Sequence, residues 1–342
     1  MICIKLLESL VDAFGPSGNE EAVRKLIYKK IRPYVDELRV NKLGNLIAHK
    51  KGHGKTVMLA AHMDEIGLMV KKIDDNGFIR VSPIGGIEPM TLLGQVVKLL
   101  KSDGSVICNG VITFGELHDG SEIKAPPRMD YIYVDTGLTK QQLTRKGIDI
   151  GTYIIPDHKF RTLGDKSIIT GKALDDRIGC YMLIKMAEKL KNYKQLNIYY
   201  VFTVQEEIGL YGAKTSVYEI SPDWGIAVDT TFATDSDIQK GPKIGSGPYL
   251  TVKDSEIIAN PKIDEHIKAL AKKNRIPLNL EVVDFGTTDA TNIMLSGGGV
   301  PSTILSVPVR NLHTTIGVAS MVDVQQAIKL GILLLKNPPH QL

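Results

Sequence analysis

Five short segments of the chain carry side chains able to hold a divalent cation. "AAHMDEIG" places an imidazole at His62 and carboxylates at Asp64 and Glu65 directly behind the apolar run "TVMLA". "GKALDDRIG" supplies Asp175 and Asp176, "FTVQEEIG" supplies Glu206 and Glu207, "GIAVDTT" supplies Asp229 and "VPVRNLHTT" supplies His313. A histidine beside two acids at a strand end is ordinarily a solvated loop. Here, however, each segment falls where a strand stops or a helix begins. In open α/β sheets the loops at the carboxyl ends of the strands converge on one crevice, so residues far apart in sequence can share a site.

The chemistry of such a site can be read from charge and donor type. With Asp175, Glu207 and Asp229 as ionised ligands and His62 and His313 as neutral ones, two divalent ions would leave a surplus of about one positive charge, which favours hydroxide over water. Imidazole and carboxylate donors without thiolates suit zinc, cobalt or manganese. Glu206, one residue from a ligand, is placed to move a proton between water and a leaving amine. Asp64 lies two residues beyond His62, on the same side of an extended chain, where it can orient that imidazole through its other ring nitrogen.

The elements that must position these groups follow from the hydrophobic pattern. Strand and helix signals alternate: "TVMLAA" and "LNIYYVFTV" as strands, "ALDDRIGCYMLIKMAEKLK" as a long helix, "WGIAVD" and "STILSV" as strands, "PKIDEHIKALAKKN" as a helix and a last helix within 320–336. Between about 66 and 160 the texture changes to short β-rich runs punctuated by Asn76-Gly77 and Asp103-Gly104, the residue pairs of tight hairpins. This predicts an α/β/α catalytic sheet formed by 1–65 and 161–342, interrupted by a hairpin-rich, barrel-like β domain over 66–160. Ser17 stands three residues before Glu20, the spacing of a capping box opening an early helix. The polar stretch 115–130, with His118, Asp119 and Glu122, is expected to be a loop of the insert.

Composition excludes several classes. The 342 residues are 43% hydrophobic and 23% charged, ordinary for a globular chain. Lys and Arg total 42 against 38 Asp and Glu, a net +4 with the basic residues dispersed, which gives no nucleic-acid footprint. Three widely spaced cysteines fit reduced thiols and a cytoplasmic setting. The N-terminal segment carries charge at helical spacing and reads as an amphipathic helix, neither a signal peptide nor a membrane span.

Taken together and in order, "AHMDEIG", "ALDDRIG", "VQEEIG", "AVDTT", "FGTTDA" and "VPVRNLHTT" resemble the co-catalytic metallo-aminopeptidases of the tetrahedral (TET) type and their glutamyl aminopeptidase relatives. The resemblance covers almost the whole chain. It implies two divalent ions per subunit, zinc or cobalt, with Asp175 shared between them. His62 and Asp229 would complete one site, and Glu207 and His313 the other. Glu206 would be the general base, Asp64 would support His62, and the Asp175–Asp176 peptide would be cis. The activity implied is release of N-terminal residues from short peptides. The insert would mediate dimerisation, with dimers assembling into a dodecamer. Asp289 in "FGTTDA" is a candidate for holding the substrate's amino end or forming a wall of the site, with a helix N-cap as the plain alternative. The glycines 297–299 are expected in a tight turn beside the substrate pocket. A dinuclear amide deacylase is the rival activity; chains of this kind have also been labelled endoglucanases, although a glycosidase would use an opposed carboxylate pair without metals.

Overall fold

The computed structural model describes residues 4–113, 128–235 and 241–339. His118, Asp119 and Glu122 lie outside them. An 11-stranded sheet forms the main body, with four central strands, Asn197–Thr203, Thr56–His62, Trp224–Phe232 and Ser302–Arg310, running parallel side by side. Thr56–His62 is buried from its second residue onward, so it must be apolar on both faces, which is why "TVMLAA" reads as a continuous run. Leu174–Leu190, Met321–Lys336 and the two N-terminal helices Lys5–Asp12 and Glu21–Ile31 join the larger apolar core, where Leu7, Ile27, Met182, Met186 and Leu330 meet. Residues of Tyr211–Ile220 and Asp289–Met294 pack with Met58, Ala60 and Val201 in a second cluster. The result is three layers, helices on both faces of a mixed sheet.

Six antiparallel strands between residues 67 and 156 close into a barrel with its own core of Leu68, Val70, Ile79, Val97, Leu99, Ile112, Val134 and Ile154. Closure leaves no sheet edge exposed. Gly77 and Gly104 adopt φ of 90° and 81°, the left-handed conformation that their turns require. One short helix, Lys140–Arg145, interrupts the hairpin-rich insert; it starts at a capping box between Thr139 and Gln142. No helix among the described residues is long and apolar enough to cross a membrane.

The capping box expected at Ser17 does not form. The helix begins at Glu21 with Glu20 at the N-cap and no side-chain cap. Ser17 donates its hydroxyl to Asp64 Oδ2 over 2.6 Å, and a Glu20 oxygen accepts the Gly18 N–H over 2.7 Å. The hydroxyl donates to a buried carboxylate, a charge-assisted bond that holds Ser17 against the Asp64 loop and not over the first turn of the helix.

Candidate metal centre

Parallel strands bring their carboxyl ends to one edge, and the register sets the spacing. Thr203 pairs with His62, and Ala60 with Ala227, which carries His62 level with Asp229 two residues on. The chain then turns sharply at the neighbouring strand ends. Gln205 takes φ of 54° immediately before Glu206, and His313 itself takes φ of 57° three residues after its strand. At the start of Leu174–Leu190, Asp175 and Asp176 are non-helical and joined by a cis peptide, and Asp175 lines the crevice from the helix side.

Asp175 lies between the two imidazoles. Its Oδ1 is 3.0 Å from His62 Nε2 and its Oδ2 is 3.5 Å from His313 Nε2. Glu207 Oε2 stands 3.7 Å from His313 Nε2, and Asp229 Oδ1 stands 4.0 Å from His62 Nε2. Glu206 Oε2 is 3.9 Å from the same nitrogen of His62. The five expected ligands and Glu206 therefore line one cavity of about 280 Å³. Asp176 also approaches: with His62 and Asp229 it forms a second cluster able to hold an ion, and its Oδ2 is buried without a hydrogen bond. In the sequence its only signal was the doubled aspartate.

Electrostatics argue for a cation. Burial and the nearby Asp175 push Asp229 up to about 7 and Glu207 up to about 8. Burial, with Asp229 and Glu207, likewise raises Glu206 well above the usual carboxylate range. Against the effect of burial, Asp175 and Glu207 raise His313 to about 9. No lysine or arginine among the described residues lines this cavity. Four acids sharing a desolvated space must be neutralised by protons or by cations, and imidazoles interleaved with carboxylates are the donor set of borderline divalent metals. The residues present fit a pair of such ions.

The surroundings hold this cluster in place. Asp64 is fully buried, with Oδ1 3.5 Å from His62 Nδ1, and its two oxygens accept the backbone N–H groups of Glu206 and Glu207 at 3.1 and 3.2 Å. Glu65 takes no part in the site. It accepts Lys172 Nζ on both oxygens, at 2.8 and 2.6 Å, and lies 3.4 Å from Arg177, which also donates to the carbonyls of Met63, Leu10 and Ala13. That buried network ties the first helix to the loop behind the cluster. From the barrel side, a Cβ added to Gly86 would come within 2.9 Å of His313 Nδ1, and one on Gly85 within 3.1 Å of the Glu207 side chain. Asp289 is buried, accepts the Thr203 hydroxyl at 2.5 Å and does not line the cavity. The N-cap of its helix is Thr288. Gly297 and Gly299 adopt positive φ in a turn, but that turn does not line the cavity either.

Residues 44–330 match the family model of the M42 glutamyl aminopeptidases. A lysyl aminopeptidase of Pyrococcus furiosus is 37% identical over 98% of this chain and 98% of its own length. An aminopeptidase of the archaeon Desulfurococcus kamchatkensis superposes with a TM-score of 0.93 at 36% identity, covering 98% of this chain and 94% of that one. The Pyrococcus horikoshii TET1 peptidase, which can assemble into a tetrahedron or a large octahedral shell, superposes with a TM-score of 0.88 at 27% identity, covering 97% and 98%.

Proposed function

Since the chain belongs to the M42 glutamyl aminopeptidase family and is an aminopeptidase, we propose that it releases N-terminal residues from short peptides at a dinuclear centre held by His62, Asp175, Glu207, Asp229 and His313. The observation that carries this reading is the position of Asp175, one oxygen toward each imidazole. Two divalent ions, zinc or cobalt, would supply Lewis acidity there, polarising the scissile carbonyl and lowering the pKa of water toward neutrality. Glu206 takes the proton of the attacking water and returns it to the departing amine. Its carboxylate is free for this, since no other side chain among the described residues hydrogen-bonds it. Asp64 fixes the backbone of Glu206 and Glu207 and faces the far nitrogen of His62, so base and ligands keep one geometry. Asp289, buried against Thr203 outside the cavity lining, has no contact role in this reading.

The barrel is read as the dimerisation element of the insert 66–160, and the chain as a homo-oligomer, a dodecamer. Supporting this, Val96, Val106, Val111 and Tyr131 of the barrel region are more than two-fifths exposed, and Val96 and Val111 are direct cross-strand neighbours.

The test is a panel of aminoacyl amides and short peptides assayed on protein stripped of metal and reloaded with zinc, cobalt or manganese, with metal bound per chain measured alongside. Cleavage confined to the N-terminal bond and restored with about two ions per chain is expected. Metal-independent cleavage, or activity on acylated but not on free amino termini, would defeat the proposal.

A further inference from the structure

The family and the relatives differ in the residue they are named for, glutamyl in one case and lysyl in another, so membership does not fix the side chain accepted. The cavity wall is more specific. Beyond the ligands it is lined by Thr231, Thr251, Glu281, Val283, Phe285 and Asp254. Thr231 follows the proposed ligand Asp229 by two residues on the same face of its strand, about 7 Å along it. Its hydroxyl donates to Glu281 Oε2 over 2.9 Å. Thr251, paired with Glu281 across adjoining strands, donates to Oε1 over 2.5 Å. Glu281 is thus a buried carboxylate, 7% exposed, held on both oxygens in the wall of the cavity that the ligand cluster lines.

No cation among the described residues pairs with it, although each of its oxygens keeps a free acceptor direction. A second acid, whose Oδ1 accepts the Glu256 and Ile257 N–H groups, belongs to the same wall. Asp254 follows the Thr251 strand and lines the same cavity at 3% exposure, and its Oδ2 is buried with no hydrogen-bond partner. The remaining walls combine the hydroxyls of Thr230, Thr287, Thr288 and Ser306 with an apolar side, where Phe232 and Phe285 pack edge to face at 5.3 Å. An apolar side with an unpaired buried acid suits a side chain that has a methylene stem and a cationic head. A leucine would leave the acid without a partner, and a glutamate would be repelled.

We propose that this arm of the cavity receives the side chain of the substrate's N-terminal residue and that Glu281, supported by Asp254, selects lysine or arginine there. The inference rests on the aminopeptidase reading above and adds the class of residue released.

The decisive experiment uses the full-length, metal-loaded enzyme and four anilides, lysyl, arginyl, norleucyl and glutamyl, with wild type and Glu281→Gln. Wild type should prefer the two cationic substrates in kcat/KM. Glu281→Gln should lower that preference by on the order of 10- to 100-fold, the worth of a hydrogen bond to a charged group, while norleucyl turnover is retained. A wild type that cleaves norleucyl or glutamyl anilide as well as lysyl would overturn the proposal, as would a variant that loses all substrates in parallel. Should Glu281→Gln fail to fold, the wild-type ratio of lysyl to norleucyl hydrolysis decides alone. If no anilide is cleaved, it is the aminopeptidase reading that has failed, and calorimetry of lysinamide against norleucinamide still judges the pocket: tighter lysinamide binding supports it, and equal binding refutes it.

Discussion

The Glu206 backbone N–H donates to Asp64 Oδ1 over 3.1 Å, so the proposed base is held by a carboxylate that never reaches the cavity. The same oxygen stands 3.5 Å from His62 Nδ1, which couples the orientation of a ligand to that of the base. Asp64→Ala would leave two buried N–H groups and the Ser17 hydroxyl without their acceptor. We expect activity to fall on the order of 10- to 100-fold, with weaker metal retention, as for other groups that orient a metal-binding imidazole. Asp64→Asn keeps an acceptor oxygen and should recover part of the loss. Equal activity in Ala and Asn variants would show that the carboxylate orients nothing.

Glu206→Gln preserves the shape and hydrogen-bonding reach of the side chain but cannot carry a proton. Metal content should be unchanged and kcat should drop by about 100- to 10,000-fold, the usual contribution of a general base. Substantial turnover by a metal-loaded variant would remove Glu206 from the mechanism.

The two halves of the centre can be separated by substitution. Asp175→Asn weakens a group that faces both imidazoles, so metal per chain after dialysis should fall well below about one. His62→Ala spares Asp175, Glu207 and His313 and should leave about one ion. Full occupancy in both variants would rule out a shared Asp175.

A distant carboxyl gives a pH signature independent of the metals. Burial raises Asp264 to about 6, although its Oδ1 accepts the Thr303 hydroxyl at 2.6 Å. The folded chain therefore holds this proton to higher pH than the unfolded chain does. Between about pH 4 and 6 folding binds protons, and this group's contribution to stability declines as pH rises through that window. Asparagine does not titrate. From pH 4 to pH 7 the difference in Tm between Asp264→Asn and wild type should move in the variant's favour by a few degrees. A difference that is flat with pH would mean that Asp264 titrates normally.

That His62, Asp175, Glu206, Glu207, Asp229 and His313 meet in one cavity was legible because the signals are local. An acid or histidine at the end of a β-rich run announces a strand terminus, and parallel topology does the gathering. The same logic failed wherever the partner was distant. Ser17 looked like a helix cap because its true acceptor, Asp64, is 47 residues away. Glu65 looked like part of the chemistry until Lys172 and Arg177 claimed it. Glu281 and Asp254 gave no signal, since an acid on a short strand becomes a pocket wall only when Thr231 and Thr251 arrive from other parts of the chain. The barrel was visible in its Asn-Gly and Asp-Gly turns, whereas one short helix within it was not.

Gly85 and Gly86 place the backbone of the barrel against Glu207 and His313, too close for a side chain to intervene. The barrel is therefore not a detachable accessory to a self-sufficient enzyme. A graft that swapped it for another domain would have to reproduce this two-glycine approach or widen the mouth of the site. Redesign of the barrel would thus be constrained at these two residues even where the rest of it is changed freely.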